Sequence, residues 1–256
     1  MKERILWSLC LAIVLAATPA LAAKAPKFDQ AKFGALCREG GAKAISEALA
    51  CGADVNGRDP DGWSPLMSAV QWNDAEVVRV LLEAGADVDA LNPNGWSPLM
   101  LAAQWNGADV VALLARAGAD VHAREGDGWT ALMIAAQRNG PEVTAALLDA
   151  GADPNAHAKD GWTALMIAVM KGNVALIPLL AKAGADVDAR EMGSKTPLMI
   201  AGQEGVAAAV QPLLDHGADL EAQASNGWTA LDFALWKEDA DTIAALSQAK
   251  VKDLSR

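Results

Sequence analysis

The sequence predicts an all-α repeat protein, a solenoid of stacked helix–turn–helix repeats with hairpin-like loops between them. Two motifs recur in phase every 33 residues, and apolar side chains follow helical spacing between them. The first motif, Asp/Asn-Gly-Trp-Ser/Thr-Pro/Ala-Leu, starts at Asp61, Asn94, Asp127, Asp160 and Asn226, and returns more loosely at Gly193. The second motif, Gly-Ala-Asp, starts at Gly52, Gly85, Gly118, Gly151, Gly184 and Gly217. A period of this length is typical of architectures whose units bury a core only by stacking.

Seven repeats account for the chain beyond a short lead-in, and the last is two residues short. They span residues 28–60, 61–93, 94–126, 127–159, 160–192, 193–225 and 226–256. Five of them open with Asp-Gly or Asn-Gly, which favours a tight turn because Gly accepts a positive φ. The following Ser or Thr is a natural helix N-cap, and Pro65 or Pro98 suits the first helical position, where the missing N–H has no partner to lose.

Two helices are predicted in each repeat. In repeat 61–93, Leu66, Ala69 and Val70 mark the first helix, and the apolar residues from 77 to 81 mark the second, which ends before Gly85. Pro178 and Pro212 are predicted to lie inside second helices, past the first turn, where proline lacks a helical N–H and clashes with the preceding turn. We therefore expect repeats 160–192 and 193–225 to be the least stable.

This pattern resembles the ankyrin repeat, whose usual signature reads Asp-Gly-x-Thr-Pro-Leu-His, followed by Gly-Ala-Asp-Val-Asn. The resemblance covers residues 28–256 and implies an ankyrin solenoid that binds a protein partner. One departure is systematic: the family's His, which bonds between repeats, is Met in five repeats and Asp232 in the last. Since Met can only pack, we expect a softer contact between repeats and buried methionines. They are Met67, Met100, Met133, Met166 and Met199.

Residues 1–22 have the composition of a secretory signal peptide. Lys2 and Arg4 precede an apolar run of 13 residues, and Ala20-Leu21-Ala22 suits a signal peptidase. The run is too short for a bilayer core of about 30 Å, and the alternative of a buried helix is disfavoured because the run is not amphipathic. We expect cleavage after Ala22, a mature ankyrin repeat domain at 23–256 without a membrane span, and a periplasmic location.

Composition and motifs argue against several classes of function. Acidic residues outnumber basic ones by 32 to 21, giving a net charge of −11, which repels a nucleic-acid backbone. His122, His157 and His216 are interpreted as surface residues, and no catalytic or phosphate-binding motif stands apart from the repeat. We therefore expect no enzyme, no metal site and no cofactor.

The recurrent Asp and the two cysteines of the mature chain receive structural interpretations. The Asp of Gly-Ala-Asp is expected to bond backbone donors in its own turn. Cys37 and Cys51 are predicted near the C-terminal ends of two antiparallel helices, on the order of 10 Å apart. A disulfide requires Cα atoms within about 7 Å, so we expect two buried thiols.

The candidate partner-binding residues depart from this structural pattern. Five repeats place a Trp between the turn Gly and the cap, a position that in the ankyrin family is variable and faces the concave surface. The remaining tryptophans of the mature chain lie near the ends of first helices, beside a column of Gln that includes Gln203, and repeat 193–225 has Ser194 and Lys195 instead of Gly-Trp. The candidates are Trp63, Trp72, Trp96, Trp105, Trp129, Trp162, Trp228, Trp236, Gln71, Gln104, Gln137 and Arg138.

Three interpretations of these tryptophans are open. The first is a groove for a protein or peptide partner on a monomeric protein. The second is a glycan site, for instance for a peptidoglycan fragment, because Trp rings stack on sugars and Gln bonds hydroxyl groups. The third is a structural girdle of the hairpin tips, in which rings of adjacent repeats pack on each other and on the next hairpin. An exposed aromatic patch of about 300–500 Å² and the enrichment of Trp at interfaces favour binding.

Overall fold

The structure is a computed structural model, and it describes residues 29–72, 75–105, 107–138 and 140–253. The predicted signal peptide at 1–22, its cleavage site and the first residue of repeat 28–60 lie outside the described residues. The chain forms two compact halves, an N-terminal half that ends at Asp120 and a C-terminal half that begins at Val121.

Fourteen helices are found within the described residues, two for each predicted repeat. Those of the N-terminal half are α1 (Gln30–Glu39), α2 (Ala42–Ala50), α3 (Pro65–Gln71), α4 (Ala75–Glu83), α5 (Pro98–Trp105) and α6 (Ala108–Arg116). Those of the C-terminal half are α7 (Ala131–Arg138), α8 (Pro141–Asp149), α9 (Ala164–Met170), α10 (Leu176–Lys182), α11 (Pro197–Glu204), α12 (Ala207–Asp215), α13 (Ala230–Lys237) and α14 (Ala240–Asp253).

Within each half, the first helices of successive repeats pack together, and so do the second helices. In the N-terminal half the first layer contains α1, α3 and α5, and the second contains α2, α4 and α6. In the C-terminal half, α7, α9, α11 and α13 form one layer and α8, α10, α12 and α14 the other. This arrangement confirms the all-α repeat prediction.

The first helices are the most deeply buried elements, and their capping follows the sequence prediction. Ser64 is the N-cap of α3, where its hydroxyl oxygen accepts from the N–H of Met67 at 3.2 Å. Thr163, Thr196 and Thr229 cap α9, α11 and α13 in the same way. All five predicted core methionines are at most 1% exposed, so their interpretation as core residues is confirmed.

Six of the seven second helices end just before the Gly of Gly-Ala-Asp. Gly85 has φ +88°, and the N–H of Ala86 donates to the carbonyl of Leu81 at 2.9 Å. This is the Schellman arrangement, which satisfies carbonyls left free at a helix end. The Asp that follows Gly-Ala stabilises the next turn as predicted; Asp54, for example, accepts from the N–H of Asn56 at 2.9 Å.

The loops between repeats are hairpin-like without forming a ladder. Among the described residues the only bridge of β type joins His157 and Thr163. Asn56 connects adjacent loops, because its amide donates to the carbonyl of Gly85 and accepts from the N–H of Asp87. Asn155 does the same for Gly184 and Asp186.

Three arginines clamp neighbouring loops in a way that the sequence analysis did not anticipate. Arg58 donates to the carbonyl oxygens of Gly62 and of Leu91, the latter 33 residues away. Arg124 and Arg190 make the equivalent pair of bonds in their repeats. The sequence does contain a sign of this arrangement, because an Arg recurs at the same position of every second repeat.

Two predictions about single residues are wrong. The N-cap of α10 is Ala175, so Pro178 is the third residue of that helix and lies in its first turn, where an N–H has no helical partner. Pro212 does lie inside α12, as predicted.

Cys37 and Cys51 are both free thiols, but only Cys37 is buried, whereas Cys51 is half-buried at the C-cap of α2. Burial raises the pKa of Cys37 to about 12, which leaves it protonated and unreactive at neutral pH.

Candidate functional site

The candidate tryptophans fall into two groups that differ in exposure. The hairpin tryptophans, which lie between the turn and the N-cap, are all half-buried: Trp63, Trp96, Trp129, Trp162 and Trp228. The helix-end tryptophans lie at or next to the C-terminal residue of a first helix. They expose 61% (Trp72), 56% (Trp105) and 65% (Trp236) of their surface.

The backbone of each hairpin tryptophan is fixed by the turn that precedes it. The N–H of Trp63 donates to the Asp59 carboxylate at 2.9 Å, and its carbonyl accepts from the N–H of Asp59 at 3.0 Å. Trp96 makes the same two bonds with Asn92. Trp129 makes them with Glu125. Since these bonds involve backbone atoms of the tryptophan, the indole ring takes no part in closing the turn.

The remaining two hairpin tryptophans use a different acceptor. Ala158 and Ala224 occupy the positions of Asp59 in their repeats and offer no side-chain oxygen. The N–H of Trp162 donates instead to Asp160, and that of Trp228 donates to Asn226, in each case two residues earlier. The turn is therefore built from interchangeable polar groups in these five repeats.

The N-terminal half contains two helix-end tryptophans at equivalent positions of neighbouring helices. Trp72 is the C-cap of α3, and Trp105 is the last residue of α5, which packs beside α3. Each follows a glutamine; Gln71 is exposed and Gln104 is half-buried. Two largely exposed indoles with two adjacent amides make this the largest aromatic surface in that half.

The C-terminal half has basic or acidic residues at the positions of Trp72 and Trp105. They are Arg138, Lys171, Glu204 and Lys237, and all four are exposed. Gln137 is half-buried beside Arg138. Trp236 is exposed near the end of α13, next to Leu235, which is 52% exposed. The two halves thus differ in which groups they present at the ends of first helices.

The described tryptophan rings do not pair with one another. Trp228 packs edge-on against Phe233, with ring centroids 5.2 Å apart and planes at 66°, and this is a contact within one repeat. The girdle interpretation expected rings of adjacent repeats to pack on each other and on the next hairpin, and within either half the described residues contain no pair of packed Trp rings from adjacent repeats.

The three histidines are not part of any group of potential metal ligands in the described residues. The Nδ1 atom of His216 lies 2.8 Å from the carbonyl oxygen of Pro212, and that of His157 lies 3.2 Å from the carbonyl oxygen of Ala158. His122 is exposed. Within the described part of the chain, no group of three or more His, Cys, Asp or Glu residues is arranged to hold a metal ion. Over the same residues, no helix has the length and apolar character needed to cross a membrane.

Comparison with known proteins identifies what this architecture is similar to. A family model described as ankyrin repeats (3 copies) matches residues 34–125 and 118–191. The crystal structure of the ankyrin repeat domain of Bcl-3, a member of the IkappaB protein family, is 27% identical, with 87% of this chain and 100% of that chain covered and a TM-score of 0.76. The ankyrin repeat domain of human ASB11 is 25% identical, covering 84% and 96%, with a TM-score of 0.75. No curated relative matches the chain.

Proposed function

The chain belongs to the ankyrin repeat family, whose members are generally protein–protein interaction modules, and we propose that it holds a protein or peptide partner against its tryptophan positions. It acts in this proposal as a non-catalytic scaffold. Residues 1–22 serve as a cleavable signal, so that the partner is met in the periplasm.

One observation carries the proposal: Trp72 and Trp105 leave more than half of their surface exposed at neighbouring positions of packed helices. A Trp side chain offers about 150–250 Å² of contact area, and burying apolar surface is worth about 25 cal/mol per Å². A fold with no need for these rings would gain solubility from polar residues there, as repeats 127–159 and 160–192 have with Arg138 and Lys171.

The neighbouring candidates have distinct roles in this proposal. The half-buried hairpin tryptophans are positioned by their backbone bonds and contribute part of each ring to the contact. In the N-terminal half, the amides of Gln71 and Gln104 can bond the backbone of an extended partner, because an amide both donates and accepts. In the C-terminal half, Gln137 offers the same kind of group next to the charged Arg138.

A glycan partner is the second candidate, and one observation favours it. Both helix-end tryptophans of the N-terminal half directly follow a Gln, so that a ring face and a hydrogen-bonding amide occur together, as sugar recognition requires. A peptidoglycan fragment is the form of glycan expected in the periplasm.

The proposal is tested by capture from periplasmic extract followed by measurement of affinity. The variant Trp72→Ala/Trp105→Ala is compared with Lys171→Ala/Glu204→Ala, which changes the same positions in the C-terminal half. We expect each Trp replacement to weaken binding by about 2 kcal/mol, some thirty-fold, and the control to retain affinity. Equal binding by the wild type and the Trp variant overturns the proposal.

The export part of the proposal has its own measurement. The N-terminal residue of the protein recovered from the periplasmic fraction is expected to be Ala23. Recovery of a chain that still carries residues 5–17 overturns the signal-peptide assignment and leaves the binding proposal untouched.

A further inference from the structure

We propose that the partner segment bound at the first-helix ends of the N-terminal half is cationic, a peptide whose Lys or Arg side chains lie on Trp72 and Trp105. This inference rests on the proposed function and specifies the chemistry of its partner. We call the region formed by Trp72, Trp105, Glu76 and Asp109 the helix-end surface.

The connectivity of the helices brings these four residues to one end of their repeats. Trp72 caps the end of α3, and Glu76 lies in the first turn of α4. Trp105 ends α5, and Asp109 lies in the first turn of α6, two residues after the N-cap Gly107. Because a helix C-terminus and a helix N-terminus meet here in each repeat, their dipoles oppose each other and the side-chain charges determine the local field.

In the two repeats that carry Trp72 and Trp105, the first turn of the second helix contains an acidic residue. Glu76 and Asp109 are both exposed. Glu76 contacts Arg79 at 3.2 Å, one turn further along α4. Asp109 has no ion pair among the described residues, and the only basic residue of α6, Arg116, is in its last turn. The net charge of −11 for the whole chain adds a long-range attraction for a cation.

An exposed indole at the same end of a repeat as an exposed carboxylate suits a cationic side chain better than a neutral or an acidic one. A cation over the face of Trp is attracted by the ring quadrupole, and Trp is the best of the aromatic residues for this contact. Arg adds stacking on the ring and paired hydrogen bonds to the carboxylate. A neutral segment gains only the apolar contact, and an acidic one is repelled.

The C-terminal half provides the opposite environment at the same positions. Arg138 and Lys171 replace the two tryptophans and are exposed, although Glu142 keeps the acidic position in the first turn of α8. A cationic segment is therefore expected to bind the N-terminal half and to be repelled at the helix ends of repeats 127–192.

The experiment is a selection of random peptides displayed on phage, performed on the immobilised protein and, in parallel, on Trp72→Ala/Trp105→Ala. We expect the wild type to retain peptides rich in Lys and Arg and the variant to lose them. For a retained peptide, fluorescence titration should show about thirty-fold weaker binding to Trp105→Ala and about three-fold weaker binding to Asp109→Asn. The matched control Glu142→Gln should bind normally, and affinity should fall as salt is raised.

The outcomes separate this inference from the proposed function. Neutral or acidic peptides that still require Trp72 and Trp105 overturn the cationic partner and leave the proposed peptide binding in place. Trp-dependent binding of an N-acetylglucosamine oligomer without retention of any peptide overturns it in favour of the glycan. Retention that is the same on the wild type and the Trp variant overturns both the inference and the proposed function.

Discussion

Repeat 94–126 and repeat 193–225 build the same turn from different residues, and only the former carries tryptophans. The Asn92 side chain accepts from the N–H groups of Asn94 and Trp96. In repeat 193–225, the Glu191 carboxylate accepts from the equivalent groups of Gly193 and Lys195. The backbone bond that closes the turn is also present in both, at 3.0 Å and 3.3 Å. A lysine therefore serves where a tryptophan stands elsewhere, which indicates that the ring is not needed to form the turn.

Repeat 193–225 also has several irregular backbone features of its own. Ser194 has φ +62° where most repeats have Gly, Pro212 lies inside α12, and Gly202 occupies a position in α11 that is Val or Ala in α3, α5, α7 and α9. The family model matches only as far as residue 191, which is just before this repeat. Repeat 94–126 therefore differs from the shared pattern by its exposed or half-buried tryptophans. Repeat 193–225 differs by residues that change its own turn and helix packing.

The largest effect on stability is expected for Gly202→Ala. A Cβ atom at Gly202 would lie 2.3 Å from the carbonyl oxygen of Ala230, so α11 and α13 would have to move apart. We expect a loss of about 2–3 kcal/mol in the free energy of unfolding, measured with denaturant. In Gly126→Ala the added atom meets nothing, and stability should be unchanged. A loss below about 1 kcal/mol at Gly202 would show that the two helices are not in close contact.

The two prolines of the second helices provide the next test. Replacing Pro212 by Ala restores an interior helical bond and should stabilise α12 by about 1–2 kcal/mol, within the roughly 3 kcal/mol range for interior prolines. Amide exchange in 206–215 should slow accordingly. Pro178→Ala, in the first turn of α10, should change little. An equal response to both replacements would contradict the reassignment of Pro178.

Exchanging Ser and Gly at one turn position sharpens the comparison further. Ser194→Gly should stabilise the protein by about 1 kcal/mol, because a left-handed backbone is unfavourable for a residue with a Cβ atom. The reverse change in the last repeat, Gly227→Ser at φ +81°, should lose a similar amount without a clash. Thermal unfolding of both variants measures this, and shifts of the same sign would contradict the argument.

A smaller effect is expected at Asp232, which replaces the family's His in the last repeat. Asp232 forms a capping box with Thr229. The pKa of Asp232 is lowered, mainly because its carboxylate accepts a hydrogen bond from the Thr229 backbone N–H. A carboxyl with a lowered pKa stabilises the fold above its ordinary pKa of about 3.9, and this stabilisation is lost as pH falls further. Asp232→Ala should therefore cost about 0.5–1 kcal/mol at pH 7. The difference in unfolding free energy between wild type and Asp232→Ala should shrink as pH falls below about 4. A difference independent of pH would show that the ionised Asp232 carboxylate does not stabilise the capping box.

The sequence predicted the repeat period, the N-caps and the glycines that end second helices, because each depends on a local residue preference. It also predicted that methionines replace the family's His in the core. It misplaced Pro178 because the start of α10 depends on a turn around Gly172, with φ +71°, which periodicity does not report. It missed the arginine clamps, because their acceptors are backbone carbonyls of the next repeat. It placed Trp72 and Trp105 at exposed helix ends, but it could not give the exposed fraction of each ring, since that depends on how neighbouring helices pack.

The replacement Trp96→Lys tests the central claim most directly, because it gives repeat 94–126 the residue that repeat 193–225 already has. If the tryptophans serve a partner and the turn is built from backbone bonds, the free energy of unfolding should fall by no more than about 1 kcal/mol. If the rings hold the repeats together, the same replacement should cost about 3 kcal/mol or more, as truncation of a buried Trp does. The account predicts the first result, and the second would contradict it.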